Sequence, residues 1–297
     1  MTTFKLTERA MLADINIGAF NPKKVDKDIS QEVVDTKGAA SDAGTYVKNI
    51  IGPHYLKTLT YISGQARLAH YNLTFPGFGM KGPRILATVG FDKHIEEMGK
   101  YRDQYEAAVK ELEAVLPTIR SARINELGSM WKEHEFPGVG EIISSFYFDI
   151  KYYPMPEASN WILDLDSDNM DALRADIEEE VRDTLGSASK AAFIRALEAI
   201  EDMRDRLTAY EKPTNHKSGS FKSNFRKSLV SNMNELAETL PFLNIAKDPE
   251  LDALSEKIKE DLCSMGADEL KESKWERDAI AQKADDMAKY INSLLAA

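Results

Sequence analysis

The chain has 297 residues, 43% of them hydrophobic and 29% charged, with a formal net charge of −11 at pH 7. That length can bury one large core or two, and no run of about 18 apolar residues is present to span a membrane. The acidic balance argues against broad nucleic-acid binding over the whole surface, because such binding neutralises phosphates with Lys and Arg.

In chain order, MTTFKLTERAMLADINIG mixes charge with apolar residues and has no continuous signal-peptide core, so secretion is not expected. Ile15 and Ile17 alternate, which predicts a short strand. A helix is expected from about Gln31, capped by Asp28 or Ser30 and weakened by Gly38 and Gly44. A second helix, Pro53 to Tyr71, places Leu56, Leu59, Ile62, Ala66 and Ala69 on one face. Four glycines and two prolines between Asn72 and Phe91 predict a loop or an irregular strand pair.

From Asp92 the helical period returns through Ile95, Met98, Tyr105, Val109, Leu112 and Leu116, and Pro117 is expected to kink or restart that helix. The stretch Ile142 to Asp166 is the strongest period-2 segment. Phe146, Phe148, Ile150 and Tyr152 share one face, and Trp161, Leu163 and Leu165 alternate after Pro154-Met155-Pro156, which predicts a β-hairpin or strand pair. Asp168 then opens a helical pattern reaching Tyr210, with small residues at 187–192 suited to close helix approach. Residues 211–220 read as a linker. Helices follow over 221–240, from Asp248-Pro249 to Gly266, and over 273–295. The expected fold is mainly α, an elongated antiparallel helical bundle or stalk with a small β-hairpin element around 142–166. The expected regions are 1–91, 92–210 and 221–297.

Chemical signatures are sparse. Gly77 to Gly82 matches GxGxxG, but Pro83 and an extended RILATV follow where a phosphate-binding helix start would be needed, so a structural loop is expected. Lys81 and Arg84 in that loop remain candidates for an exposed basic contact. Asp164, Asp166 and Asp168 imitate a calcium loop but lack its glycine and its bidentate glutamate. The five histidines form no metal motif, and the lone Cys263 excludes an internal disulfide and suits a reducing cytoplasm. No catalytic, metal or cofactor-binding residue is assigned, and no cofactor is expected. One basic segment stands out: Lys212, Lys217, Lys222, Arg226 and Lys227 oppose one acid between 211 and 232 and alternate with Phe221 and Phe225. It reads as a solvated linker and helix start, a single-stranded nucleic-acid contact, or a contact for an acidic partner. Tyr147 and Tyr153 fall on the opposite strand face from Phe146 and Phe148, which makes them candidates for a partner surface.

Several of these residues also carry a resemblance. Leu127-Gly128, Phe136-Pro137, Phe146, Pro154-Met155-Pro156, the Trp161–Asp164 strand, and FRKSLVSNMNELAETLPFLNIAKDPELDAL at 225–254 resemble a family of uncharacterised bacteriophage and mobile-element proteins. Members of that family are often encoded beside a MoxR-type AAA+ ATPase and a von Willebrand A-domain protein. The resemblance spans roughly 60–297 and implies a phage-type cytoplasmic interaction protein, an adaptor or scaffold for such partners. It transfers no site. The rival expectation is a single-stranded nucleic-acid-binding protein using 212–227. Long amphipathic helices also predict a homo-oligomer, and no membrane partner is expected.

Overall fold

The structure, a computed structural model, describes residues 6–78, 82–156, 167–211 and 228–296. Over these residues the chain is mainly α-helical with small β elements. Its strands are β1 (Ala10–Gly18), β2 (Lys23–Asp26), β3 (Tyr46–Asn49), β4 (Arg84–Ala87) and β5 (Tyr147–Pro154). Its helices up to residue 144 are α1 (Lys27–Lys37), α2 (Lys57–Asn72), α3 (Phe91–Leu127) and α4 (Val139–Ser144). The later ones are α5 (Ser167–Thr208), α6 (Ser228–Thr239), α7 (Pro249–Leu262), α8 (Ala267–Glu272) and α9 (Lys274–Ala296).

Several boundaries follow directly from local chemistry. The Asp26 carboxylate accepts from the Ile29 amide and starts α1 four residues ahead of the expected Gln31, and Gly38 ends the helix at φ 58°. Asp248 caps α7 through the Glu250 amide with Pro249 in the first turn, as expected. Gly266 precedes α8 rather than terminating α7, which ends at Leu262.

Two expectations need correction. Helix α3 is continuous over 37 residues with Pro117 inside it. Proline's fixed φ suits a helix, and Leu116 and Ile119, both 1% exposed, anchor the turns around the missing amide. The β element also differs from a local hairpin. Residues Val139–Ser144 are helical, and β5 joins a three-stranded sheet of order β4-β1-β5, with β1 as the strand beside it. The expected second strand at 161–165 lies outside the described residues. A separate antiparallel pair, β2-β3, matches Val25 with Val47 and Asp26 with Tyr46.

The chain forms two compact units, each assembled from separated segments where the sequence suggests consecutive regions. The first comprises Met1–Asp14, Tyr71–His94 and Tyr152–Ala297; the second comprises Ile15–His70 and Ile95–Lys151. In the first, α5 packs chiefly on α9. Leu185, Ala188, Ala192, Ala196, Ile200, Met203 and Leu207 of α5 are buried at three- and four-residue spacing, and Ala284 and Ala288 of α9 are buried in the same core. Alanines there let helices approach closely, as the small-residue stretch suggests. In the second unit, Leu59, Ile62 and Ala66 of α2 join Tyr105, Leu112, Leu116 and Ile119 of α3, with Ile142, Phe146 and Phe148. The Tyr105 hydroxyl donates to the Gly18 carbonyl at 2.5 Å, and burial pushes its pKa up to about 12. A Cβ on Gly18 would run into the Tyr147 ring, so any larger residue there would have to displace that ring.

Candidate functional site

Three local arrangements combine reactive or recognition chemistry with accessibility, and none is a catalytic constellation. The first surrounds Thr74 in the first unit. Phe75 and Ile85 exchange backbone hydrogen bonds at 2.8 and 2.9 Å, which brings the two ends of the glycine-rich stretch together. A Cβ on Gly77 would collide with the Pro83 carbonyl, so the first glycine of GxGxxG serves a tight backbone return. Strand β4 follows directly where the sequence offers the extended RILATV, and Gly79, Met80 and Lys81 of the motif lie outside the described residues.

Arg84 opens β4 and is half-buried rather than exposed. Its Nε donates to Thr74 Oγ1 at 2.7 Å and its Nη2 to the Thr74 carbonyl at 3.3 Å, while the guanidinium stacks 4.7 Å from the Tyr71 ring centroid. Arg195, from α5, converges on the same carbonyl. Its Nη2 donates to Thr74 O at 2.5 Å and its Nη1 to Asn72 O at 3.0 Å, and it lies 4.8 Å from the Phe75 ring centroid. Burial lowers the pKa of both arginines, and Arg195 drops to about 10 with help from the neighbouring Arg84 charge. The Glu198 carboxylate, three residues on in α5, acts on Arg195 in the opposite direction and offsets part of that shift. Arg195 was not a candidate from sequence, because it sits among RALEAIEDMRDR as one more charge on a long helix.

The second arrangement is the outer face of β2-β3 in the second unit. One face points inward: Lys48 Nζ, 3% exposed as a residue, donates to Asp26 Oδ2 at 2.6 Å and to the Met130 carbonyl at 2.7 Å. Glu135 Oε2 stands 2.7 Å from the same ammonium as an ion pair rather than a directed hydrogen bond. The bond from Lys48 holds Asp26 down to about 2 against its burial. For Lys48, burial favours the neutral form, but Asp26 and Glu135 together outweigh it and raise the pKa. With that face committed to the ion cluster, strand alternation turns the paired Val25 and Val47 outward, 48% and 44% exposed. Val33 and Tyr46, also exposed, border a depression between α1 and β3. The sequence hint was the alternation in KKVD and YVKN, too short to register as strands.

The third is β5. Phe148 is buried, and Tyr147 and Tyr153 are exposed, which is the alternation expected from the sequence. Near its end Tyr152 accepts or donates at 3.0 Å to Nδ1 of His94, a fully buried histidine whose pKa burial lowers to about 4. Phe91 and His94 both meet the Tyr152 ring edge-on. Lys81, Lys212, Lys217, Lys222, Arg226 and Lys227 lie outside the described residues, so the basic segment has no place in this geometry. Among the described residues no group of His, Cys, Asp and Glu is arranged to hold a metal ion. Burial pushes the Cys263 thiol up to about 11, away from thiolate chemistry. No described helix is long and apolar enough to cross a membrane. No protein-family model, curated protein or solved structure matches this chain.

Proposed function

We propose that the protein is a non-catalytic interaction protein of the bacteriophage type, an adaptor or scaffold working with a AAA+ ATPase and a von Willebrand A-domain partner. The outward Val25–Val47 pair carries this reading. An apolar cross-strand pair facing solvent loses the burial that makes β-branched residues stabilising in a sheet, and a docked partner restores it. The Asp26–Lys48–Glu135 cluster occupies the opposite side of the strands, which leaves the valines on the outer side. Tyr147, on β5 of the same unit, is exposed and offers aromatic contact of the kind enriched at interfaces, and Tyr153 offers a separate one on the other unit. The assignment of the partner rests on the family resemblance of residues 60–297.

Co-purification from cells expressing the tagged chain with a neighbouring ATPase and von Willebrand A-domain protein tests the proposal. Retention of either partner by the wild type, with loss in the Val25→Lys/Val47→Lys double variant at unchanged thermal stability, supports it. No retention at micromolar concentration, or retention indifferent to the double variant, sinks it.

A further inference from the structure

We propose that Arg84 and Arg195 form a binding site for a phosphate group, and that the group is supplied by a single strand of nucleic acid. The inference is independent of the partner-docking reading, because it concerns other residues and a different class of ligand.

Each guanidinium is oriented before any ligand arrives. Arg84 is held by both the hydroxyl and the carbonyl of Thr74 and lies over the Tyr71 ring; Arg195 is held by the carbonyls of Asn72 and Thr74 and lies over the Phe75 ring. A guanidinium carries five N–H donors, and two are committed on each arginine, which leaves three on each for a further acceptor. Pre-oriented arginines lose little side-chain entropy on binding, which favours affinity.

The chemistry selects the ligand. Two like charges drawn to one carbonyl oxygen repel each other, and an oxyanion relieves that repulsion where water only screens it. A phosphate offers oxygens in several directions and suits two converging forks. Arg195 bonds the Asn72 carbonyl that ends α2, and both arginines then meet at the Thr74 carbonyl two residues further on, which concentrates two positive charges at one point of the backbone.

The source follows from the rest of the charge. With a net charge of −11, the surface as a whole repels a polyanion. A rigid duplex brings many phosphates against that surface, whereas a flexible single strand can deliver one or two to an isolated basic site.

Fluorescence anisotropy of a labelled oligothymidine, titrated with the full chain over a series of salt concentrations, tests this. The variants are Arg84→Gln, Arg195→Gln and the double; glutamine keeps an amide donor for the Thr74 and Asn72 oxygens and removes the charge. Wild-type binding that weakens with salt, with each variant lowering affinity on the order of tenfold and reducing the salt slope by about one, is the expected result. Arg195→Lys, which keeps the charge, retains most of the binding even if Arg195→Gln fails to fold. Three results overturn the proposal: no wild-type binding at low salt, binding unchanged in a folded double variant, or equal arginine-dependent binding of polyglutamate. Arginine-dependent binding of inorganic phosphate without any binding of the oligonucleotide would overturn the assignment to a strand.

Discussion

The cores of the two units are built on different physics. In the first, α5 and α9 meet through alanines and aliphatic side chains at regular helical spacing, and a buried charge such as Arg277 is answered by the backbone carbonyls of Leu270 and Lys271. In the second, an apolar core of α2 and α3 side chains lies in the same unit as a buried Asp26–Lys48 pair with Glu135, joined from residues far apart in sequence. Apolar packing degrades gradually as methylene groups are removed or added. A buried ion pair fails abruptly, because removing one partner leaves an uncompensated charge in a poorly solvated place.

The sharpest way to break the comparison is Lys48→Met. It removes the ammonium shared by Asp26 and Glu135 and leaves Asp26 only the Ile29 amide and the more distant Lys132 at 3.5 Å, so the largest drop in denaturant-measured stability of any of these substitutions is expected. Lys48→Met combined with Asp26→Asn and Glu135→Gln should recover part of that loss, since neither carboxylate is then left without the ammonium and the side-chain amide at position 26 can still cap α1. If the triple variant is no more stable than the single, the cluster is not the source of the effect.

The first unit has its own electrostatic weakness in His94. Its folded pKa, about 4, lies below the unfolded value of about 6.5, so the unfolded chain takes up a proton before the native state does. The neutral buried form is fully tolerated above pH about 6.5, and stability falls as pH drops from there towards about 4, by on the order of 3 kcal/mol in total. Chemical denaturation across that window should show the slope in wild type and lose it in His94→Gln. A slope that survives the substitution assigns the acid sensitivity elsewhere.

The smallest effect is expected where packing alone decides. Ala192→Leu adds methylenes at a fully buried position of α5 and should cost about 1–3 kcal/mol, read from the shift in the denaturation midpoint at unchanged m-value. A neutral outcome would mean that the α5–α9 contact has room to spare, contrary to the dense alanine packing.

Legibility in the sequence divides along the same line. The register of α5, the Asp248-Pro249 start of α7 and the inward Phe148 with outward Tyr147 and Tyr153 all follow from spacing that neighbouring residues impose on one another. β2 and β3 escaped notice because four residues of alternation carry little signal, and their pairing joins Lys23 with Asn49 across the intervening α1. Lys48 reads as an ordinary surface lysine in YVKN until Asp26 and Glu135 are placed beside it. Arg195 likewise becomes distinctive only when Thr74 brings it to Arg84.

By itself the sequence determined that this is a mainly helical, acidic chain with its long helices where the three-four period runs, because helix propensity, capping and amphipathic spacing are local properties. Tertiary structure alone decided which strands pair, that Pro117 is carried within one helix, and that Asp26, Lys48 and Glu135 meet. It also decided that Arg84 and Arg195 share one carbonyl. Those outcomes depend on side chains separated by tens of residues, whose attraction or repulsion takes effect only once folding has fixed the distance between them.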